Sequence, residues 1–126
     1  IGFNKNGYTI AEKLKKIIEK QKKIKIYMHK ITTRDNNSEI TPQIKTENSK
    51  NIFLVDDVLK SGKTIIYGIR EILKHDIQSL KTIILINRNH NEFPIGVDYV
   101  GLNLSTTLQD HIEVILEKNK EIAYLI

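Results

Sequence analysis

Two carboxylates, Asp56 and Asp57, stand side by side at the end of an apolar run, and Ser61-Gly62-Lys63-Thr64 follows close behind. The acids can accept hydrogen bonds from hydroxyls. The second group has the makings of a phosphate cradle: a glycine that lets the backbone come close, two hydroxyls and a lysine. A ligand that satisfies both carries a terminal phosphate and, a sugar's length away, neutral hydroxyls. Ribose 5-phosphate has that layout, with its phosphate on Ser61–Thr64 and its vicinal hydroxyls on Asp56 and Asp57. The acids also suit a magnesium ion held mostly through water, because magnesium keeps its hydration and takes few protein ligands.

Other sites use similar residues. A plain strand-to-helix turn employs Ser and Thr as helix caps, but it has no use for two acids just upstream. A nucleotide-triphosphate P-loop wants glycine five positions before the Gly62-Lys63 pair. That position is Asp57, whose charge would repel the phosphates. A response-regulator receiver pairs acids at a strand end but also needs an aspartate ending a later strand, and the run Thr82–Asn87 ends without one.

The elements that must position these groups are legible in the periodicity. Asn51–Val55 is a short continuous apolar run, the pattern of a central strand buried on both faces, with the acids at its carboxyl end. From Thr64 the spacing of Ile65, Ile69 and Ile72 predicts a helix, so the cradle falls on a strand-to-helix turn. Upstream, Ile10, Leu14, Ile17 and Ile18 predict a helix beginning after Gly7. Alternation over Ile24–Ile31 predicts a strand, and the polar residues 32–50 predict a long loop, a length that in compact domains usually marks a lid or binding loop. Further strands are expected over 82–86, 97–104, 111–116 and 122–126. Strands alternating with helices give an α/β fold with a mostly parallel sheet, helices on its faces, and ligands beyond the carboxyl ends of the strands.

A chain of 126 residues is expected to form one domain, 1–126. Hydrophobic residues make up 40% and charged residues 28%, ordinary for a soluble globular protein. There is no cysteine, which excludes disulfides and thiolate zinc sites and suits the cytoplasm. The four histidines, His29, His75, His90 and His111, lack metal-ligand spacing and read as surface or structural. No apolar run reaches membrane-spanning length. The opening Ile1-Gly2 has the look of a strand's tail, so residues are expected to precede it. The net charge of +5 suits a polyanionic partner, a phosphorylated small molecule or RNA, although the lysines of 13–25 also read as the solvated face of a helix.

The stretch V-D-D-V-L-K-S-G-K-T, residues 55–64, resembles the signature of the type I phosphoribosyltransferases, which bind 5-phosphoribosyl 1-pyrophosphate (PRPP). The segment from Arg88 to Gly101 is similar to that of the pyrimidine-operon attenuation regulators that are also uracil phosphoribosyltransferases, and the likeness runs from Ile1 to about Leu116. The resemblance implies a Rossmann-like central parallel sheet flanked by helices, a small C-terminal hood over the base, and a flexible loop that closes during catalysis. It implies Asp56 and Asp57 as catalytic residues on the ribose hydroxyls and the metal, and Lys60, Ser61, Gly62, Lys63 and Thr64 around the 5′-phosphate. Asn4, Lys5, Asn6 and Gly7 become the pyrophosphate loop, Arg34 and Asp35 part of the closing loop, and Asp98, Tyr99 and Val100 the base pocket. Mg2+ is the implied cofactor, PRPP and a nucleobase the ligands, a homo-oligomer the assembly, and RNA a further partner. Two departures stand out. The pyrimidine regulators carry a lysine and an arginine where this chain has Asn4 and Asn6. Lys60 stands where purine-salvage members place an aspartate and the pyrimidine regulators an uncharged aromatic, which disfavours hypoxanthine and guanine.

Overall fold

The computed structural model describes residues 1–45, 47 and 50–126. In chain order the elements are β1 (Gly2–Phe3), α1 (Asn4–Gln21), β2 (Lys30–Arg34), β3 (Asn37–Thr41), β4 (Asn51–Leu59), α2 (Lys63–Ile72), β5 (Ser79–Asn87), β6 (Tyr99–Asn103), β7 (Ile112–Glu117) and β8 (Lys120–Leu125). The first six strands form one sheet in the order β3-β2-β1-β4-β5-β6. All neighbours in it are parallel except β2 and β3. β7 and β8 make a separate antiparallel hairpin at the C-terminal end.

β4 is the spine of this arrangement. Ile52, Leu54, Val55, Val58 and Leu59 are buried, but Phe53, in the run expected to be buried on both faces, is 45% exposed, so one face of the strand is only partly covered. Phe3, Ile31, Leu54, Leu59, Ile65, Ile72 and Ile84 form the main core, to which α2 contributes its apolar stripe. A second cluster, Val58, Ile86, Ile112 and Val114, seats the C-terminal hairpin on the outer ends of β4 and β5. β1 has only two residues and meets β4 at Gly2 and Val55, so β4 runs on past it. The side of β4 that faces β1 is therefore open from Asp56 onward.

Several local expectations are corrected. The strand predicted over Ile24–Ile31 is irregular up to His29, because β1 offers ladder partners only to Lys30 and Ile31. The long loop predicted at 32–50 is in its first half a β-hairpin. Asp35 (φ 48°) and Asn36 (φ 63°) form a left-handed pair, the geometry of a two-residue hairpin turn, and both residue types tolerate it. Thr46, Asn48 and Ser49 of that expected loop lie outside the described residues. Asn4–Gly7, expected as a loop, are the first turn of α1. Ile17 and Ile18, part of the spacing that predicted that helix, are exposed, at 54% and 36%.

Candidate functional site

Asp56 and Asp57 lie within β4 rather than beyond it, since the strand continues through Val58 to Leu59. Pairing with β5 is interrupted between Asp56–Ile84 and Val58–Ile86. The register is the same on both sides of the gap, and Leu54 and Leu59, on either side of the acids, both belong to the main core. Both acids are half-buried at the open side of the strand. Each is organised by the backbone that follows it: Asp57 N–H donates to Asp56 Oδ1 at 2.9 Å, and Val58 N–H donates to Asp57 Oδ1 at 2.8 Å. Burial, and then the charge of Asp57, hold the Asp56 carboxyl well above the ordinary carboxylate range, with Lys60 pulling weakly the other way.

The cradle follows directly. Gly62 has φ 90°, a left-handed conformation open to glycine, and a Cβ there would lie 2.7 Å from Ile95 Cγ2. Ser61 Oγ accepts the N–H of Lys63 at 3.2 Å, and the first intrahelical bond of α2 is Ile66 N–H to the Gly62 carbonyl at 3.1 Å. The N–H groups of Thr64 and Ile65 thus belong to the unpaired first turn, where the helix dipole favours an anion. The connection between β5 and β6 braces this loop, with Glu92 and Phe93 N–H both donating to the Ser61 carbonyl at 3.0 Å. The acids and the cradle, apart from the exposed Lys63, line one cleft of about 190 Å³, formed by Asn4, Asp56–Gly62, Thr64 and Ile65.

α1 enters the site through a close approach. Gly7 lies so near β4 that a Cβ on it would be 2.5 Å from the Val55 carbonyl oxygen. That contact brings Asn6 within reach of Asp57, and its amide nitrogen donates to Asp57 Oδ2 at 2.8 Å. Of the expected pyrophosphate residues, Asn4 (φ 50°) lines the cleft and Lys5 is exposed. Arg34 and Asp35 sit at the exposed tip of the β2–β3 hairpin, on the carboxyl edge of the sheet, and Arg70 of α2 holds that tip through the Asn36 carbonyl at 2.8 Å.

The expected base-pocket residues are not brought to the cleft. Asp98 Oδ2 accepts the backbone N–H of Thr82 at 2.8 Å, which pins the start of β6 to β5. The Tyr99 ring lies against Phe53, 6.4 Å between centroids, and neither it nor Val100 lines the cleft. A buried residue without an assigned role in the sequence organises the hood side instead. Arg88, 8% exposed, donates to Thr106 Oγ1 at 2.9 Å and to the carbonyls of Thr107 (3.1 Å) and Asp110 (2.6 Å). Only its charge, immediately after an apolar strand, could have flagged it. A larger concavity of about 490 Å³ lies at the opposite, amino ends of the strands, beneath α1. Its lining is mainly apolar and holds no paired carboxylates, so the chemistry belongs to the smaller cleft. Among the described residues no cluster of three or more His, Asp or Glu side chains could hold a metal ion, and no helix is long and apolar enough to cross a membrane.

An open parallel sheet with a glycine-hinged anion cradle and paired acids at its carboxyl side defines a sugar-phosphate-binding α/β protein. The chain belongs to the phosphoribosyl transferase domain family, whose model matches residues 1–117. It is similar to the Bifunctional protein PyrR of Macrococcus caseolyticus, 30% identical over 129 residues, covering 94% of this chain and 74% of the relative. The Bifunctional protein PyrR of Clostridium acetobutylicum is 32% identical over 126 residues, covering 90% and 71%. Among solved structures, a hypoxanthine phosphoribosyltransferase from Staphylococcus aureus matches with a TM-score of 0.68 and 17% identity, over 85% of this chain and 61% of that one. The enzyme from Trypanosoma cruzi, in complex with the product IMP, matches with a TM-score of 0.66 and 16% identity, over 82% and 58%. These two likenesses are of fold, and the chain spans about three fifths of each.

Proposed function

We propose that this chain transfers the 5-phosphoribosyl group of PRPP to a nucleobase, uracil or a related pyrimidine being favoured, with release of pyrophosphate. The carrying observation is that both acids line one cleft with Ser61, Gly62 and Thr64 of the cradle. Membership of the phosphoribosyl transferase domain family supports the same reading. The 5′-phosphate binds at Ser61–Thr64, on the first-turn N–H groups of α2, and the ribose hydroxyls donate to Asp56 and Asp57. A base nitrogen then forms its bond to the anomeric carbon while the bond from that carbon to the pyrophosphate oxygen breaks. Positive charge that develops on the ribose ring lies near the two carboxylates.

Two half-buried carboxylates in contact, one of them poorly stabilised as an anion, fit a cation, and Asp56 and Asp57 would hold magnesium mostly through water. When bound, that ion neutralises charge building on the leaving pyrophosphate. Lys5, next to Asn4, is the cation this chain offers at that end. Closure of the β2–β3 hairpin, with Arg34 and Asp35 at its tip, excludes water from the anomeric carbon. Solved relatives are hypoxanthine enzymes, but Lys60 in place of a purine-reading acid argues for a pyrimidine. A cytoplasmic homo-oligomer suits such an activity.

The test is pyrophosphate release with magnesium, PRPP and a panel of bases. Asp57→Asn is expected to lower turnover by about 10²-fold or more, and unchanged turnover overturns the site assignment. A second reading is a nucleotide-sensing regulator that binds RNA. It is favoured by the net charge of +5 and by asparagines, not cations, at positions 4 and 6. Salt-dependent binding of a pyrimidine-gene leader RNA, with no turnover of any base, would decide for it.

A further inference from the structure

The Asn6 amide nitrogen has two acceptors, Asp57 Oδ2 at 2.8 Å and the Val114 carbonyl oxygen at 2.9 Å. One side chain in the first turn of α1 therefore joins an acid in β4 to the first strand of the C-terminal hairpin. Both N–H hydrogens are committed, so neither is free for a pyrophosphate oxygen. A second tie runs parallel to it, as Lys13 of α1 pairs with Glu121 of β8. The hairpin's apolar side meets the same region, with Val114 packed in the cluster that includes Val58, the residue after Asp57.

Asp57 keeps room for a ligand despite these bonds. Its Oδ1 accepts the Val58 N–H and its Oδ2 accepts Asn6, which leaves each oxygen a further lone pair. A ribose hydroxyl adds to this set without displacing Asn6. It also immobilises the carboxylate, and a fixed carboxylate holds the Asn6 amide in the orientation that reaches β7.

We infer that Asn6 is a positioning residue, a latch through which occupancy of Asp57 tightens the seat of the C-terminal hairpin on the ends of β4 and β5. The ligand-dependent half of this inference rests on the phosphoribosyl reading; the latch in the free protein does not. Coupling of this kind has a defined physical carrier, a hydrogen-bonded chain from carboxylate to amide to strand.

The experiment is amide hydrogen exchange on the intact chain and on Asn6→Ala, each free and with magnesium and ribose 5-phosphate, while phosphorus-31 resonances of the sugar phosphate report its binding. In the free proteins, exchange over Ile112–Glu117 and Lys120–Leu125 is expected to be roughly five- to tenfold faster in Asn6→Ala, the opening that loss of the one hydrogen bond to the Val114 carbonyl allows. Ribose 5-phosphate is expected to slow hairpin exchange in the intact chain and to leave it unchanged in Asn6→Ala. A side chain that only supported the fold would alter the free-state rates and not their response to ligand. Equal hairpin exchange in the two free proteins overturns the latch, and equal slowing by ligand in both overturns the coupling. Should Asn6→Ala fail to fold, the intact chain decides alone, since binding without slower hairpin exchange also overturns the coupling. Absence of sugar-phosphate binding refutes the phosphoribosyl reading and the coupling together, and the free-state comparison still judges the latch.

Discussion

Replacing Gly7 by alanine tests the packing that delivers α1 to the acids. The new Cβ would lie 2.5 Å from the Val55 carbonyl oxygen and 3.2 Å from Phe3 Cβ. Val55 has little freedom to yield, because its N–H donates to the Ile1 carbonyl at 2.8 Å and it pairs with Gly2 and Ile83 on its two sides. Ordinary contact begins near 3.4 Å, so the first turn of α1 must retreat by about 0.9 Å, the difference from 2.5 Å. The same retreat stretches the Asn6–Asp57 bond from 2.8 Å to roughly 3.7 Å, past hydrogen-bond range. Overpacking of this kind costs about 1–3 kcal/mol. A lost hydrogen bond to a charged acceptor costs about 1.5–3 kcal/mol. Against them stands a gain of about 1 kcal/mol from alanine's helix propensity over glycine's. The net expectation is a loss of about 1.5–5 kcal/mol in urea unfolding. Calorimetry should also show ribose 5-phosphate binding at least tenfold more weakly. A variant more stable by about 1 kcal/mol, with unchanged affinity, would refute the reasoning, for it would mean that only local propensity operates at Gly7.

Two further outcomes are expected besides the effect of Asp57→Asn. Asp56 binds its proton more tightly folded than unfolded, so as pH rises past the ordinary value of 3.8 the unfolded chain loses that proton first and stability falls until the raised folded value is passed. Asp56→Asn should remove this part of the slope in thermal melts across that window and raise stability above it; a slope that persists unaltered would contradict the cause given. Arg88→Met leaves the buried Thr106 hydroxyl and the part-buried carbonyls of Thr107 and Asp110 without their donor and should cost about 1–3 kcal/mol, with residues 104–111 losing exchange protection first. A loss below about 0.5 kcal/mol would show that water replaces the guanidinium.

The acids and the cradle were legible because they are neighbours in sequence. Asp56 through Thr64 belong to one strand-turn-helix unit, whose local chemistry dictates both the φ of Gly62 and the exposure of the first turn of α2. The parallel sheet was legible for a similar reason, since continuous apolar runs such as Asn51–Val55 and Thr82–Ile86 suit strands covered on both faces. The β2–β3 hairpin was misread because its turn, Asp35-Asn36, lacks glycine and its strands carry Thr, Ser and Glu, which look polar at an edge.

Tertiary structure decided what depends on distant partners. Asp98 has the composition of a ligand-binding residue, yet its carboxylate belongs to Thr82, sixteen residues away. Tyr99, read from the sequence as a base contact, lies beside Phe53 and away from the cleft that holds the acids. Asn6 is the clearest case. Its sequence position says only that a cation is missing, whereas the fold engages its amide with Asp57 and with a backbone carbonyl 108 residues along the chain. A carbonyl has no residue-type signal, and no pattern can announce which one a side chain will reach. The sequence by itself determined which chemistry lies along one strand and turn; the close packing of α1 on β4, through Gly7, decided what surrounds it.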